Sequence, residues 1–391
     1  MKRRDFEKAI ALGVLATAIP GAVTRAGTGS ILNVFIGGAP GGADENAVAE
    51  AVKRTALAAT DFSWLSKGDS VVIKPALNSG NPYPATTDPV SIRAMVKLLK
   101  EKGAGRVIIT DLSGVGHVIF HADKLKGSSR KLMNDCGMAQ AAEAAGAELY
   151  FAEEDGWDAF FPEKSKYGAN WKGPIMMPKI LQKVDHVVLM PRCSRHLMAG
   201  NSLGMKATVG WWRFDTRMEY HRDAATLPEK TAESVFVPSL LEKQRLVLTT
   251  ATKVLTAFGP DNGYVSEPET GIVIASDSVV AHDMVSLAWL LENRKTTPEK
   301  EKKGRKDPYT GAKIVDFLNK QGVKMLGGTR DDAKATQKLV RNPINTVWDD
   351  RTLRRAFEIL GGIPKLNLTV ANKSVPESVL NALKDGVTPR V

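Results

Sequence analysis

Six side chains suited to proton transfer, anion binding or cation binding are spread through the middle of the chain: Lys74, Asp111, His196, Lys206, Asp277 and Asp283. The densest stretch runs from Arg192 to Lys206. It packs Arg192, Cys193, Ser194, Arg195, His196, Asn201, Ser202 and Lys206 into fifteen residues. A neutral imidazole and a desolvated lysine both exchange protons near neutral pH. Arginine and lysine bind carboxylates and phosphates. Aspartates could ligate a divalent cation such as Mg2+ or Ca2+, or orient the histidine. The candidate site is therefore His196, Lys206 and Lys74 for proton transfer, and Arg192, Arg195, Asn201 and Ser202 for a small anionic ligand. Asp111, Asp277 and Asp283 are the metal candidates. Asp277 and Asp283 have a second reading, as caps of a turn and a helix.

The elements that must position these groups read as an α/β protein. Asp185 to Met190, ended by Pro191, is an apolar run that fits a central strand. Beyond it, Gly200, Gly204 and Gly210 let the chain turn or approach a ligand. Ser70 to Pro75 is a strand that delivers Lys74 to its carboxyl end, and Arg106 to Asp111 is one that delivers Asp111. Between them Asp88 and Pro89 open a helix to Lys102, with Ile92, Met95, Val96, Leu98 and Leu99 on its apolar face. Strand, helix, strand in this order is a βαβ unit with parallel pairing. Further strands are expected at Ile31–Ile36, Glu148–Phe151, Leu246–Thr252 and Gly271–Ser276, and helices at Asp44–Thr60, Arg130–Ala145 and Val279–Glu292. The fold class is α/β, a predominantly parallel sheet with flanking helices and a mostly helical C-terminal region. In such sheets ligands bind beyond the carboxyl ends of the strands, which is where the candidate residues fall.

Other patterns carry less. His117 and His121 at i, i+4 would share one face of a helix, as in metal pairs, but no third ligand completes a known pattern. The glycine-rich turn 37–42 has neither spaced phosphate-binding signature and reads as a flexible turn. Gly200-Asn201-Ser202-Leu203-Gly204 fits G-x-S-x-G but stands about eight residues from the strand end, too far for a nucleophile elbow. Trp211-Trp212-Arg213-Phe214 and Tyr220-His221-Arg222 form an aromatic–basic segment that could wall a pocket or simply pack.

The 391 residues are 43% hydrophobic and 25% charged, ordinary for a globular protein. The formal charge is +11, of which residues 294–307 contribute +4 as a local basic loop. No basic, aromatic-interleaved groove marks a nucleic-acid face, so no nucleic-acid partner is expected. Two cysteines, Cys136 and Cys193, cannot alone hold an iron–sulfur cluster, and none is expected. They could form one disulfide or remain buried thiols.

The first 26 residues read as a signal. Lys2-Arg3-Arg4-Asp5-Phe6 is a twin-arginine n-region, Ala9 to Val23 an apolar stretch too short to span a bilayer comfortably, and Thr24-Arg25-Ala26 a cleavage site. This resembles a bacterial twin-arginine signal, which implies the translocase as a partner, a periplasmic location and no stable transmembrane segment in the mature chain. The expected layout is signal 1–26, an α/β domain 27–295 divisible into 27–175 and 176–295, and a charged linker with a helical C-terminal region at 296–391.

The order of these motifs resembles the DUF362 family, which is defined by sequence and has no general assigned activity. The matching pieces are Val71-Val72-Ile73-Lys74-Pro75, Thr87-Asp88-Pro89, Ile109-Thr110-Asp111-Leu112-Ser113-Gly114, Met190-Pro191-Arg192-Cys193-Ser194-Arg195-His196, Leu203-Gly204-Met205-Lys206 and Ile274-Ala275-Ser276-Asp277 through Asp283. Ala76 departs from the family's usual Asn, and Arg192 and Arg195 stand where lysines are common. The ferredoxin module that some relatives carry has no counterpart here, which argues against electron transfer through an own cluster. Two functions follow as expectations. One is an exported enzyme doing acid–base chemistry on a small anionic substrate, with or without a metal or other cofactor. The other is a non-catalytic ligand- or metal-binding or maturation protein using the same cleft.

Overall fold

The computed structural model describes residues 31–302, 313–337 and 344–389. The expected signal at 1–26 and part of the charged linker lie outside the described residues. Among those described, no helix is long and apolar enough to cross a membrane.

An eight-stranded sheet forms the frame. Its strands are β1 (Ile31–Pro40), β2 (Ser70–Pro75), β3 (Arg106–Thr110), β4 (Glu148–Tyr150), β5 (His186–Met190), β6 (Gln244–Ala251), β7 (Thr270–Ser276) and β8 (Lys365–Val370). The spatial order is β8-β1-β7-β6-β5-β2-β3-β4. Pairing is parallel from β6 through β5, β2 and β3 to β4, and again between β8 and β1. Only β7 runs against its neighbours. The central strands β2 and β5 are buried along their whole length. Both faces are covered, and so these strands read in sequence as continuous apolar runs rather than alternations.

Of the helices α1 (Glu45–Ala59), α2 (Pro89–Glu101), α3 (Phe214–Arg222), α4 (Val279–Lys295), α5 (Arg351–Leu360) and α6 (Glu377–Val387), α1, α2, α4 and α6 pack on the sheet, while α3 and α5 pack on other helices. α2 starts where the sequence places it. The Asp88 carboxylate accepts the Val90 N–H and Pro89 occupies the first turn. Such a cap contributes about 1 kcal/mol. Ile92, Met95, Val96, Leu98 and Leu99 are all buried beneath the sheet strands Val71, Ile73, Val107 and Ile109. α4 lies on the other face and is buried almost all round.

Three differences from the sequence reading have simple causes. The helix expected over Arg130–Ala145 is two, Ser129–Asp135 and Met138–Ala144, because Gly137 sits at φ 81° between them. His117 and His121 are not on a helix: His121 ends a short strand, Ile119–His121. A second sheet stands above the first, in the order Gly200–Ser202, Ser194–His196, Val254–Phe258, Gly263–Ser266. Its three-residue strands around the site are too short and polar to show a period of two. The C-terminal region is mostly helical, as expected, and its one described strand joins the frame. β8 pairs along β1 from Ile31↔Lys365 to Ile36↔Val370, so the sheet edge is built from the last part of the chain.

Candidate functional site

The carboxyl ends of β2, β3 and β5 open into one cavity of about 230 Å3. After β2 the chain supplies Ala76, Leu77 and Asn78 to its wall, and after β3 Asp111 and Leu112. After β5 the excursion through the small sheet supplies His196 and Ser202, and the short helix Gly204–Ala207 supplies Lys206. Arg217 and His221 enter from α3, four residues apart on one face. His117 and Asp261 line it too and lie 3.1 Å apart, Nε2 to Oδ2.

The strand ends are pinned by side chains. The Thr87 hydroxyl accepts from Ala76 N–H at 2.8 Å and donates to the Met190 carbonyl at 2.6 Å, clamping the ends of β2 and β5. The Asn78 carbonyl accepts from Gly114 N–H at 2.9 Å and from the Ser113 hydroxyl at 2.9 Å, joining the loops after β2 and β3.

Lys74 is completely buried behind the wall rather than on it. Its Nζ stands 2.9 Å from Asp111 Oδ1, out of line for a hydrogen bond, and donates to the Pro75 carbonyl at 2.8 Å. The Trp211 ring covers it at 5.7 Å. Asp111 Oδ2 accepts from Leu77 N–H at 2.7 Å. Burial pushes the Lys74 ammonium down and the Asp111 carboxyl up, and the contact between them opposes both. Gly210 makes room for this pair. A Cβ there would stand 1.9 Å from Asp111 Oδ1 and 2.9 Å from Lys74 Nζ.

His196 and His221 are both neutral but present opposite edges. His196 Nδ1 accepts the N–H groups of Met198 and Ala199 at 3.2 and 3.1 Å, so its proton belongs on Nε2. His221 Nδ1 stands 2.7 Å from the Arg217 carbonyl and must donate to it, which leaves the Nε2 lone pair free. Burial, then the nearby Lys206 and Arg192 charges, hold the His196 pKa well below the usual imidazole range. Burial takes His221 down to about 3.

Two cations at the wall have no carboxylate within ion-pair distance among the described residues. Lys206 is half-buried, with burial and the Arg192, Arg217 and Lys74 charges bringing its pKa down to about 7. Arg217 is 4% exposed. It donates to the Leu112 carbonyl at 3.2 Å and leaves Nε without a partner. Burial lowers its pKa to about 10, opposed by Asp111.

The remaining candidates are placed elsewhere. Arg192 lies fully buried behind the cavity, donating to Ser202 Oγ at 3.3 Å, to the Pro260 carbonyl at 2.8 Å and to the Ala85 carbonyl. Arg195 and Asn201 form one cross-strand pair on the small sheet, while His196 and Ser202 belong to the pairs on either side of it. Because neighbouring pairs face opposite ways, Arg195 and Asn201 point away from the cavity. Arg195 reaches the Ile344 carbonyl at 3.4 Å and Asn201 donates to Asp350 at 2.7 Å, so both tie the small sheet to the C-terminal region. Ligand binding by these two is corrected to that anchoring role.

The three aspartates do not come together as a metal site. Asp111 faces Lys74. Asp283 takes the N–H groups of Gly204 and Met205 at 2.7 and 2.8 Å, and His282 Nδ1 at 2.8 Å. That carboxylate therefore anchors the short helix carrying Lys206. Asp277 sits at the turn after β7, outside the cavity wall. Among the described residues no three His, Cys, Asp or Glu side chains gather as a metal site. Ser202 has an arginine rather than an imidazole beside it, since His282 is held by Asp283 and lies 3.4 Å from Ser286. Cys136 and Cys193 are free and buried. Burial raises the Cys193 thiol far above its usual pKa and leaves it inert.

Arg217 was not visible from the sequence, although His221 lay in the aromatic–basic segment. The signal was the i, i+4 spacing of Arg217 and His221, which carries meaning only once residues 214–222 are read as a helix. Of the aromatics, Trp212 and Tyr220 pack in the core and Trp211 covers Lys74.

Fold and site together define an α/β protein with a basic cavity at the carboxyl ends of its parallel strands. A family model described as a domain of unknown function, DUF362, matches residues 71–288, more than half of the chain. The chain belongs to the DUF362 family. No curated protein matches it. Among solved structures, a Thermotoga maritima protein is similar at 11% identity and a TM-score of 0.36, over 57% of this chain and 53% of that one. The lactate racemase apoprotein from Thermoanaerobacterium thermosaccharolyticum is similar at 14% identity and a TM-score of 0.36, over 58% and 51%. The chain spans about half the length of these two proteins.

Proposed function

We propose that this protein is an enzyme that moves a proton on a small carboxylate or phosphate held in the strand-end cavity. The observation that carries the reading is the pairing of Lys206 and Arg217 at one wall with no carboxylate partner among the described residues. A buried charge without a partner is costly, and a bound anion removes that cost. Arg217, which lines the cavity, is the anchor for the anion. Lys206, with a pKa of about 7, is divided between amine and ammonium at neutral pH, the state that suits a group taking and returning a proton. Asp111, locked against Lys74 and Leu77 N–H, fixes the floor.

The test follows the ligand's protons. Small carboxylates and phosphates that raise the melting temperature are incubated with the protein in D2O, and their carbon-bound proton signals are followed by NMR. Exchange is expected with the native protein and should slow by about 100-fold or more in Lys206→Met. Stabilising ligands that never exchange would reduce the function to binding. We also propose that residues 1–26 export the folded chain by the twin-arginine route. Cell fractionation of an Arg3→Lys, Arg4→Lys variant tests this, and export unchanged by the substitutions would refute it.

A further inference from the structure

We infer that the cavity selects an anion that also carries a hydroxyl group, read by His196 and His221 acting as a donor–acceptor pair. The inference rests on the anion reading above and deepens it. The two imidazoles line the same cavity, and each has one nitrogen committed to the backbone. The commitments are opposite in sense. At His196 two backbone N–H groups occupy Nδ1, which forces the proton to Nε2 and makes that edge a donor. At His221 a backbone carbonyl takes the Nδ1 proton, which makes Nε2 an acceptor. Neither Nε2 has a hydrogen-bond partner among the described residues.

A hydroxyl group is both donor and acceptor, so it can satisfy both edges at once. A bare methyl or methylene can satisfy neither, and it would leave two polar edges desolvated. A second carboxylate would accept from His196 but meet a lone pair at His221. The pair therefore discriminates by the neutral part of the ligand, while Arg217 and Lys206 hold its charge. The backbone contacts also keep both rings fixed, so the preference is built into the free protein. His221 is a binding residue on this account, and His196 serves as a donor rather than as a base.

Two measurements test the inference. First, nitrogen-15 NMR of histidine-labelled native protein reads the tautomers directly. His196 is expected with its proton on Nε2 and His221 with its proton on Nδ1, each assigned by the signal lost in His196→Gln or His221→Gln. The same tautomer at both sites would overturn the pair without touching the anion reading. Second, calorimetry compares glycerate with propionate, and glycerol phosphate with propyl phosphate. The hydroxylated member of at least one pair should bind about tenfold tighter or more, with His221→Leu removing the preference. The arm that responds tells carboxylate from phosphate. Equal affinities within both pairs would refute hydroxyl reading while leaving the anion site intact. No binding by any of the four would remove the anion site itself, and this inference with it.

Discussion

Asp111 Oδ1 lies 2.9 Å from Lys74 Nζ, with both side chains buried and the lysine behind the cavity wall. The two residues end neighbouring parallel strands, and Trp211 and Gly210 close over them. The lysine is thus held out of the cavity, and the carboxylate is held at its edge. Removing one partner strands the other charge in a low-dielectric interior. Asp111→Ala is expected to lower stability by about 3–5 kcal/mol, and Lys74→Met by a similar amount. The double variant Lys74→Met, Asp111→Leu should recover most of that loss. Urea unfolding of the three proteins checks this, and a double variant as unstable as the summed single ones would show that the two do not act as a pair.

Gly210 is the packing condition for that pair. A methyl group at this position overlaps Asp111 Oδ1, so Gly210→Ala must push the carboxylate or the backbone aside. The expected cost is about 1–3 kcal/mol, the usual range for overpacking. Ligand affinity should fall as well, because Asp111 lines the cavity. A variant with native melting temperature and native affinity would contradict the geometry.

Asp283 has a positioning task in place of a metal. It holds the backbone N–H groups of Gly204 and Met205, directly before Lys206. Asp283→Ala leaves these donors unpaired in the interior and should cost about 1–3 kcal/mol per group left unsatisfied. The melting temperature is expected to drop by the same amount in EDTA as in added Mg2+. A native melting temperature that rises in Mg2+ and falls in EDTA, with neither change in Asp283→Ala, would instead point to a metal at this carboxylate.

Lys206 gives the protein a defined pH dependence. Its folded pKa of about 7 lies below the roughly 10.4 of an unfolded lysine. Between those values the unfolded chain binds more protons than the folded one, so this group makes stability rise as pH increases from about 7 towards 10. Below 7 its full burial cost applies. Lys206→Met should therefore flatten the rise and be relatively most stabilising at pH 6. His196 and His221, held neutral in the fold while an unfolded imidazole takes up a proton below about pH 6.5, add their own rise of stability with pH up to about 7, and Lys206→Met leaves that part in place. Anion affinity runs the other way, falling as Lys206 loses its proton. Urea midpoints and ligand titrations at pH 6 and 9 check both signs, and identical slopes for native and Lys206→Met would contradict them.

The frame was legible in the sequence because burial on both faces writes long apolar runs. Val71-Val72-Ile73 and Val187-Val188-Leu189-Met190 could hardly be anything but central strands, and Asp88-Pro89 marks its helix start by chemistry alone. The strand ends then located His196, Lys206 and Asp111 at one cavity. What the sequence could not show was side-chain direction after the chain left the sheet. Arg195 and His196 are adjacent and equally polar, yet a three-residue strand sends them to opposite faces. Arg217 was hidden for a related reason. It belongs to a polar helix with no clear apolar stripe, so nothing announced which side faces the cavity. Asp283 looked like a ligand because its real partners are backbone N–H groups some 80 residues earlier, and backbone groups leave no trace in a sequence.

The central claim is that Lys206 and Arg217 make an anion site, and calorimetric titration of the full chain with inorganic phosphate and with propionate at pH 6.5 tests it most directly. The account predicts one anion bound per chain by at least one of the two, with affinity weakened about tenfold or more in both Arg217→Met and Lys206→Met, the scale of a lost charge-assisted hydrogen bond. Absence of binding by the native protein, or binding that both variants retain undiminished, would contradict it.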